Sequence, residues 1–264
     1  MGRIYLSQRE YCNCIDMAKI NFHILSLFPK MFDGVLTSSM ISRAIKNDLV
    51  SIAVIDIRDF TEDKHSTTDD YQFGGGFGMV MKPEPICNAI DDILGNCISP
   101  ENTPVVLMTP QGTQFTQTVS ESLSSSKDII IICGHYTGVD ERIIELVVTH
   151  QISIGDFITT GGEIPAMLLV DCISRFIPGV IGSSENVASD SITSGLLEHP
   201  LYTRPRTYRG LTVPDVLING DHQKVEDWRR TQSIIKTFHN RPDLLVSADL
   251  NESDQQILDD LQRD

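Results

Sequence analysis

The segment Ile129-Ile130-Ile131-Ile132-Cys133 has no polar face. A strand of this kind needs cover on both sides, which a sheet with one wet face cannot give it. Val105–Met108 has the same character, and Ile20–Leu27 is apolar and β-leaning. Ser51–Arg58 (SIAVIDIR) alternates with period two and reads as a strand with one exposed face. Between these runs the apolar spacing becomes helical, at Lys30–Thr37, Met40–Lys46, Pro85–Leu94, Thr116–Ser124, Asp140–Val148 and Glu163–Ile177. The last carries Pro165 in its first turn and is closed by Pro178-Gly179. A further strand is expected over Ile152–Thr159. Strands alternating with helices around continuous apolar runs predict an α/β domain on a largely parallel sheet.

The composition shifts after Gly182. Residues 182–195 (GSSENVASDSITSG) are small, polar and unperiodic, as in a linker or a loop that orders on binding. Beyond them Val225–Phe238 and Ser253–Leu261 read as helices of a small C-terminal domain. The expected division is an extension at 1–16, an α/β domain at 17–181, a flexible linker at 182–197 and a helical domain at 198–264.

Charge and cysteine usage narrow the function. The 264 residues carry a formal net charge of −15, against non-specific polyanion binding by the whole surface. Residues 200–241 are locally net +4 and residues 242–264 net −6. The basic stretch fits either a solvated helix face or a polyanion footprint, and charge alone favours the former. The six cysteines (12, 14, 87, 97, 133 and 172) are scattered, and Cys12-Asn-Cys14 lacks a second pair to complete a zinc site. No apolar run reaches the ~18 residues of a membrane span, and no secretory leader is read at the N-terminus. The expectation is a reduced, cytoplasmic protein with no membrane partner.

Three glycine-rich turns follow strands: Gly74–Gly78, Gly134–Gly138 and Gly161-Gly162. At the carboxyl end of a parallel strand such turns let backbone approach a ligand, although each alone is more often plain turn chemistry. None fits G-x-G-x-x-G or a Walker loop, and H-E-x-x-H and G-x-S-x-G are missing.

With their neighbours these turns carry more. ILSLFPKMF (24–32), RDFT (58–61), DDYQFGGGFGM (69–79), TPQG (109–112), CGHYTGVDERI (133–143), SIGDFITTGGEIPAM (153–167), SRFIPGV (174–180), LLEHPLYTRP (196–205), WRR (228–230) and RPDLL (241–245) run through most of the chain. Together they resemble the bacterial tRNA (guanine-N1)-methyltransferase family of trefoil-knotted (SPOUT) methyltransferases. The resemblance implies a deep trefoil knot in the sheet domain and S-adenosylmethionine bound against it. It places the cofactor on Thr109, Pro110, Gly134, Tyr136, Ile154, Gly155, Asp156, Phe157, Ile158, Thr159, Gly161, Gly162 and Pro165. The implied general base is Asp190, and the implied cationic donor is Arg175. Asp69 and Gly78 would bound the substrate site, with Arg204, Arg206, Arg209, Arg229 and Arg230 on tRNA phosphates.

The same resemblance implies a homodimer whose site draws on both subunits, and Mg²⁺ with no ligands assigned. The implied reaction is methylation of N1 of the guanosine 3′ of the anticodon. The alternatives on this fold are a catalytically silent RNA-binding module and a ribose 2′-O-methyltransferase. Two positions depart from the family pattern: Thr137 stands where an acid is common, and Phe77 where proline is frequent.

Overall fold

The computed structural model describes residues 20–181, 191–192 and 195–263. Chain contacts divide it into two compact units, Met1–Gly182 and Ser183–Asp264. The N-terminal extension, with Cys12, Cys14 and Met17, lies outside the described residues, and so does Asp190.

The first unit runs β1 (Ile20–Ser26), α1 (Asp33–Thr37), α2 (Ser39–Lys46), β2 (Val50–Asp56), β3 (Asp69–Tyr71), β4 (Met79–Met81), α3 (Pro83–Leu94), β5 (Val105–Gln114), α4 (Gln117–Leu123), β6 (Asp128–Cys133), α5 (Glu141–Val147), β7 (His150–Ser153) and α6 (Glu163–Ser174). Five strands form one sheet in the order β2-β1-β6-β5-β7, every neighbouring pair parallel. β6 lies at the centre and all six of its residues are buried, as its unbroken apolar run requires.

One face of the sheet packs Ile20, Phe22, Ile24, Ile129 and Ile131 with Ala166, Leu169 and Ile173 of α6. The other packs Leu25, Ile130 and Ile132 with Ile86, Ala89, Ile90 and Ile93 of α3. Adjacent strand residues thus serve opposite faces.

Three elements differ from the sequence expectation. β2 stops at Asp56, because the Asp56 carboxylate accepts the Arg58 N–H and starts a 3₁₀ turn over Ile57–Phe60. β5 does not end at Met108. It shifts register and pairs again through Thr113 and Gln114 with Ile152 and Ser153. β7 occupies His150–Ser153 rather than Ile152–Thr159. The Gly155 N–H donates to the Ser153 hydroxyl, and Gly155 takes φ +144°, which turns the chain out of the sheet. The short antiparallel pair β3–β4, which frames the Gly74–Gly78 turn, was not expected.

The second unit contains β8 (Thr207–Tyr208), β9 (Leu211–Thr212), α7 (His222–Asn240) and α8 (Glu252–Leu261). Leu196, Ile234 and Leu258 form its core, with Phe238, Leu245, Leu250 and Leu261 packed around them. Leu196, expected in the linker, is therefore part of the packed unit. Asn251 and Asp254 close a capping box at the start of α8.

Candidate active site

A cavity of about 250 Å³ opens beyond the carboxyl ends of three adjacent strands, β6, β5 and β7. This is where parallel α/β sheets place ligands, because the chain leaves each strand in a loop with unspent backbone donors and acceptors. Its walls are Met108–Gln111, where β5 shifts register, and two loops, Gly134–Val139 after β6 and Ile154 with Phe157–Gly162 after β7.

Of the thirteen residues implied as cofactor contacts, eleven line this cavity: Thr109, Pro110, Gly134, Tyr136, Ile154, Phe157, Ile158, Thr159, Gly161, Gly162 and Pro165. Gly155 and Asp156 do not. Gly155 serves instead to turn the chain, accepting the Phe157 N–H (2.9 Å).

The loops are locked to one another by backbone. The Gly162 N–H donates to the Gly134 carbonyl (2.8 Å), joining the entry of α6 to the end of β6. Gly162 has ordinary helical angles, so space rather than φ requires glycine. A Cβ there would stand 2.6 Å from Cys133 Cα and 2.9 Å from Gly134 N. Behind this junction Glu163 is buried and accepts the Ser26 hydroxyl (2.8 Å), which fixes the start of α6 on β1.

His135, Gln111, Thr137, Gly138 and Glu141 also line the cavity and were not singled out as contacts from sequence. His135 lies between the Phe28 and Tyr136 rings, with centroids 4.9 and 5.0 Å away. Its Nδ1 is buried without a hydrogen-bond partner. Such an atom is costly unless something binding there satisfies it. Tyr136 holds the left-handed conformation (φ 57°), uncommon for an aromatic residue and concentrated at functional sites. Burial first, and then the Asp69 carboxylate, push its phenol above the ordinary range, with Arg58 opposing. Asp69 and Arg58 are thereby placed beside the same loop. The Arg58 guanidinium also donates to the Leu27 carbonyl (2.6 Å) and sits over Phe28.

The β3–β4 hairpin is tied to this wall. Thr137 N–H donates to the Met79 carbonyl (3.1 Å), Met81 N–H to the Gly138 carbonyl (3.0 Å), and the Thr137 hydroxyl to the Phe77 carbonyl (3.3 Å). Gly78, at φ 89°, packs directly on the Thr137 side chain. Phe73 and Phe77 at the hairpin tip are almost fully exposed.

Arg175 is half-buried at the C-cap of α6. Gly162, at the N-cap, lines the cavity, so the helix length puts Arg175 about 20 Å from it within one chain. In the second unit, Arg206 pairs with Asp215 and Arg229 with Glu226 on the surface. Arg204 is exposed before Pro205, and Arg209 lies over Tyr208. Arg230 is differently placed. It forms three bonds to the buried Asp254 carboxylate and one to the Asp249 carbonyl (2.7 Å), which makes it a brace between α7 and α8.

A five-stranded parallel sheet, a crevice of crossing loops at its carboxyl edge and a helical C-terminal region are the architecture of the SPOUT, trefoil-knotted methyltransferases. Residues 20–247 match the family described as tRNA (Guanine-1)-methyltransferase TrmD. The tRNA (guanine-N(1)-)-methyltransferase of Geotalea uraniireducens is 51% identical over 244 residues, covering 92% of this chain and 98% of that protein. The protein of the same description from Staphylococcus carnosus is 49% identical over 239 residues (90% and 96%), and that from Bacillus subtilis 45% over 246 residues (93% and 100%). The chain belongs to the tRNA (guanine-1)-methyltransferase family. Among its described residues, no helix is long and apolar enough to cross a membrane.

Proposed function

We propose that this chain transfers the methyl group of S-adenosylmethionine to N1 of a guanine in tRNA, at the nucleoside 3′ of the anticodon, in the cytoplasm. The observation that carries the reading is the loop-walled cavity at the ends of β5, β6 and β7. Its residues suit this donor. In support, backbone groups of 134–136, 154 and 157–162 are available to the hydrogen-bonding edge of an adenine and a ribose, apolar Ile154, Phe157 and Pro165 could cover a ring, and the orphaned His135 Nδ1 lacks a polar partner. When bound there, S-adenosylmethionine supplies an electrophilic methyl on a sulfonium.

The remaining chemistry belongs to the protein. As N1 attacks, its proton has to leave and negative charge grows on O6. Asp190 takes the proton as general base, and the Arg175 guanidinium donates to O6 and holds the base in line. The N1–methyl bond forms, the sulfur–methyl bond breaks and the demethylated thioether departs.

One chain cannot bring Arg175 to its own cavity across about 20 Å of helix. A homodimer resolves this by supplying Arg175 from the second subunit. In support, α6 leaves Ile164 and Leu168 53% and 41% exposed, one turn apart on the same side of the helix. Mg²⁺ is a further part of the proposal. Glu141 is the only acidic residue lining the cavity among the described residues, so any ion there keeps most of its water. Arg204, Arg206, Arg209 and Arg229 remain phosphate candidates, whereas Arg230 is taken up by Asp254.

The test is nucleoside analysis of an unmodified tRNA transcript after incubation with enzyme and donor. The expected product is 1-methylguanosine, absent with Asp190→Ala while donor affinity stays within about twofold of wild type. A 2′-O-methylnucleoside, no product from the wild type, or undiminished turnover by Asp190→Ala would overturn the assignment.

A further inference from the structure

At the opposite edge of the sheet, where β1 and β6 begin, His23, Cys97 and Asp128 come together. One donor atom from each, imidazole nitrogen, thiol sulfur and carboxylate oxygen, lies within 4.8 Å of the other two. His23 and Asp128 are buried, with His23 Nε2 3.1 Å from Asp128 Oδ1. The strands fix them both, because His23 pairs with Ile130 and Asn21 with Asp128 in the β1–β6 register. Cys97 is half-buried and follows the end of α3. The next residue, Ile98, donates its N–H to Asp128 Oδ2 (3.3 Å), which draws this connection onto the cluster.

A buried His–Asp contact explains two of these side chains and leaves the sulfur over: a thiol stands beside them as a third donor of the kind that binds metals. Asn21, almost wholly buried, donates from Nδ2 to Asp128 Oδ1 (2.9 Å) and so holds the carboxylate in place.

We propose that His23, Cys97 and Asp128 form a binding site for a single Zn²⁺ ion. One nitrogen, one sulfur and one oxygen make a donor set of the borderline-soft kind that zinc accepts, with water taking the fourth position on the half-buried Cys97 side, and the thiol argues against Mg²⁺ or Ca²⁺. Bonds of about 2.0–2.3 Å bring tetrahedral ligands within roughly 3.5 Å of each other. The cluster therefore has to contract by about 1 Å. The movement falls to Cys97, on a connection between elements, rather than to strand residues. The ion would pin the α3–β5 connection to the start of two central strands. That position is a full strand length, roughly 17 Å, from the cavity, so it acts on stability and not on methyl transfer.

The probe is Co²⁺ added to the full-length, chelator-treated protein, followed by competition with Zn²⁺. A cysteine-bound cobalt shows a thiolate charge-transfer absorption in the near ultraviolet. The wild type is expected to show this band at one equivalent, lose it to Zn²⁺, and melt at a higher temperature with Zn²⁺ than without. Cys97→Ala, a mild change at a half-buried position, should lose both the band and the thermal shift while keeping its methyl-transfer rate. Cys12→Ser/Cys14→Ser should retain both, which separates this site from the N-terminal thiols. Absence of the band in the wild type, or its persistence in Cys97→Ala, would overturn the proposal.

Discussion

Replacing Gly162 by alanine puts the smallest possible load on the crossing of the loops. The new Cβ would sit 2.6 Å from Cys133 Cα, about 0.8 Å inside ordinary contact at 3.4 Å, and 3.0 Å from Cys133 C. Each obstructing atom is backbone, so no rotamer change relieves the overlap. Moving the backbone means separating the Gly162 N–H from the Gly134 carbonyl or bending the end of β6, whose core is fully buried. Overpacking of this kind costs about 1–3 kcal/mol, and the rigidity on both sides puts Gly162→Ala near the upper figure. For a unit of this size that lowers Tm by roughly 6–12 °C. Because Gly134 also lines the cavity, donor affinity should fall by at least about tenfold, measured by calorimetry well below the melting temperature. Gly34→Ala is the matched control. It lies in helix α1 with nothing within 4 Å of an added methyl, so it should stabilise by about 0.5–1 kcal/mol and leave affinity alone. A Gly162→Ala protein with wild-type Tm and wild-type donor affinity would refute the close-crossing argument.

Arg230→Ala should destabilise the C-terminal unit by about 1–2 kcal/mol, the value being reduced by the solvent reaching its guanidinium, and a tRNA-binding defect at full stability would contradict the brace. Burial raises the Asp254 carboxyl, but Arg230 and the Asn251 N–H more than offset it and hold its pKa below the ordinary 3.8. The stability it confers is therefore present above that pH and lost as pH falls below it. An acid melt of Asp254→Asn should lose this dependence, and an unchanged acid limb would dismiss the pair. Leu168→Glu should convert a dimer to monomers by light scattering and abolish methyl transfer with donor affinity retained. An active monomer would exclude the two-chain site.

Legibility in the sequence tracked how far each residue's neighbours were local. β6 was legible residue for residue, since Asp128–Cys133 is apolar after its first residue and buried throughout. The long helices were legible from their spacing. β5 and β7 were displaced because their limits depend on long-range pairing: Thr113 finds Ile152 across a register shift that no local pattern announces. The three-residue strands β3 and β4 were hidden because β3 ends a polar stretch and β4 is too short to show a period; the buried Met81 and the 137–138 backbone that hold them are long-range partners.

In the site, the family strings named eleven of the residues that line the cavity, and two of the three glycine turns, Gly134–Gly138 and Gly161-Gly162, lie on its wall. His135 was passed over because its distinguishing property, a buried nitrogen with nothing to bond, exists only once Phe28, Tyr136 and Gly161 are packed around it. Arg230 looked like a free cation because its partner Asp254 lies 24 residues away, in the acidic tail.

The most direct test of where the donor binds is a crystal structure with S-adenosylhomocysteine. Density for the nucleoside is expected against the backbone of 154–162 and 134–136, with a polar atom within hydrogen-bonding distance of His135 Nδ1. Density seated anywhere else, with that cavity filled only by solvent, would contradict it.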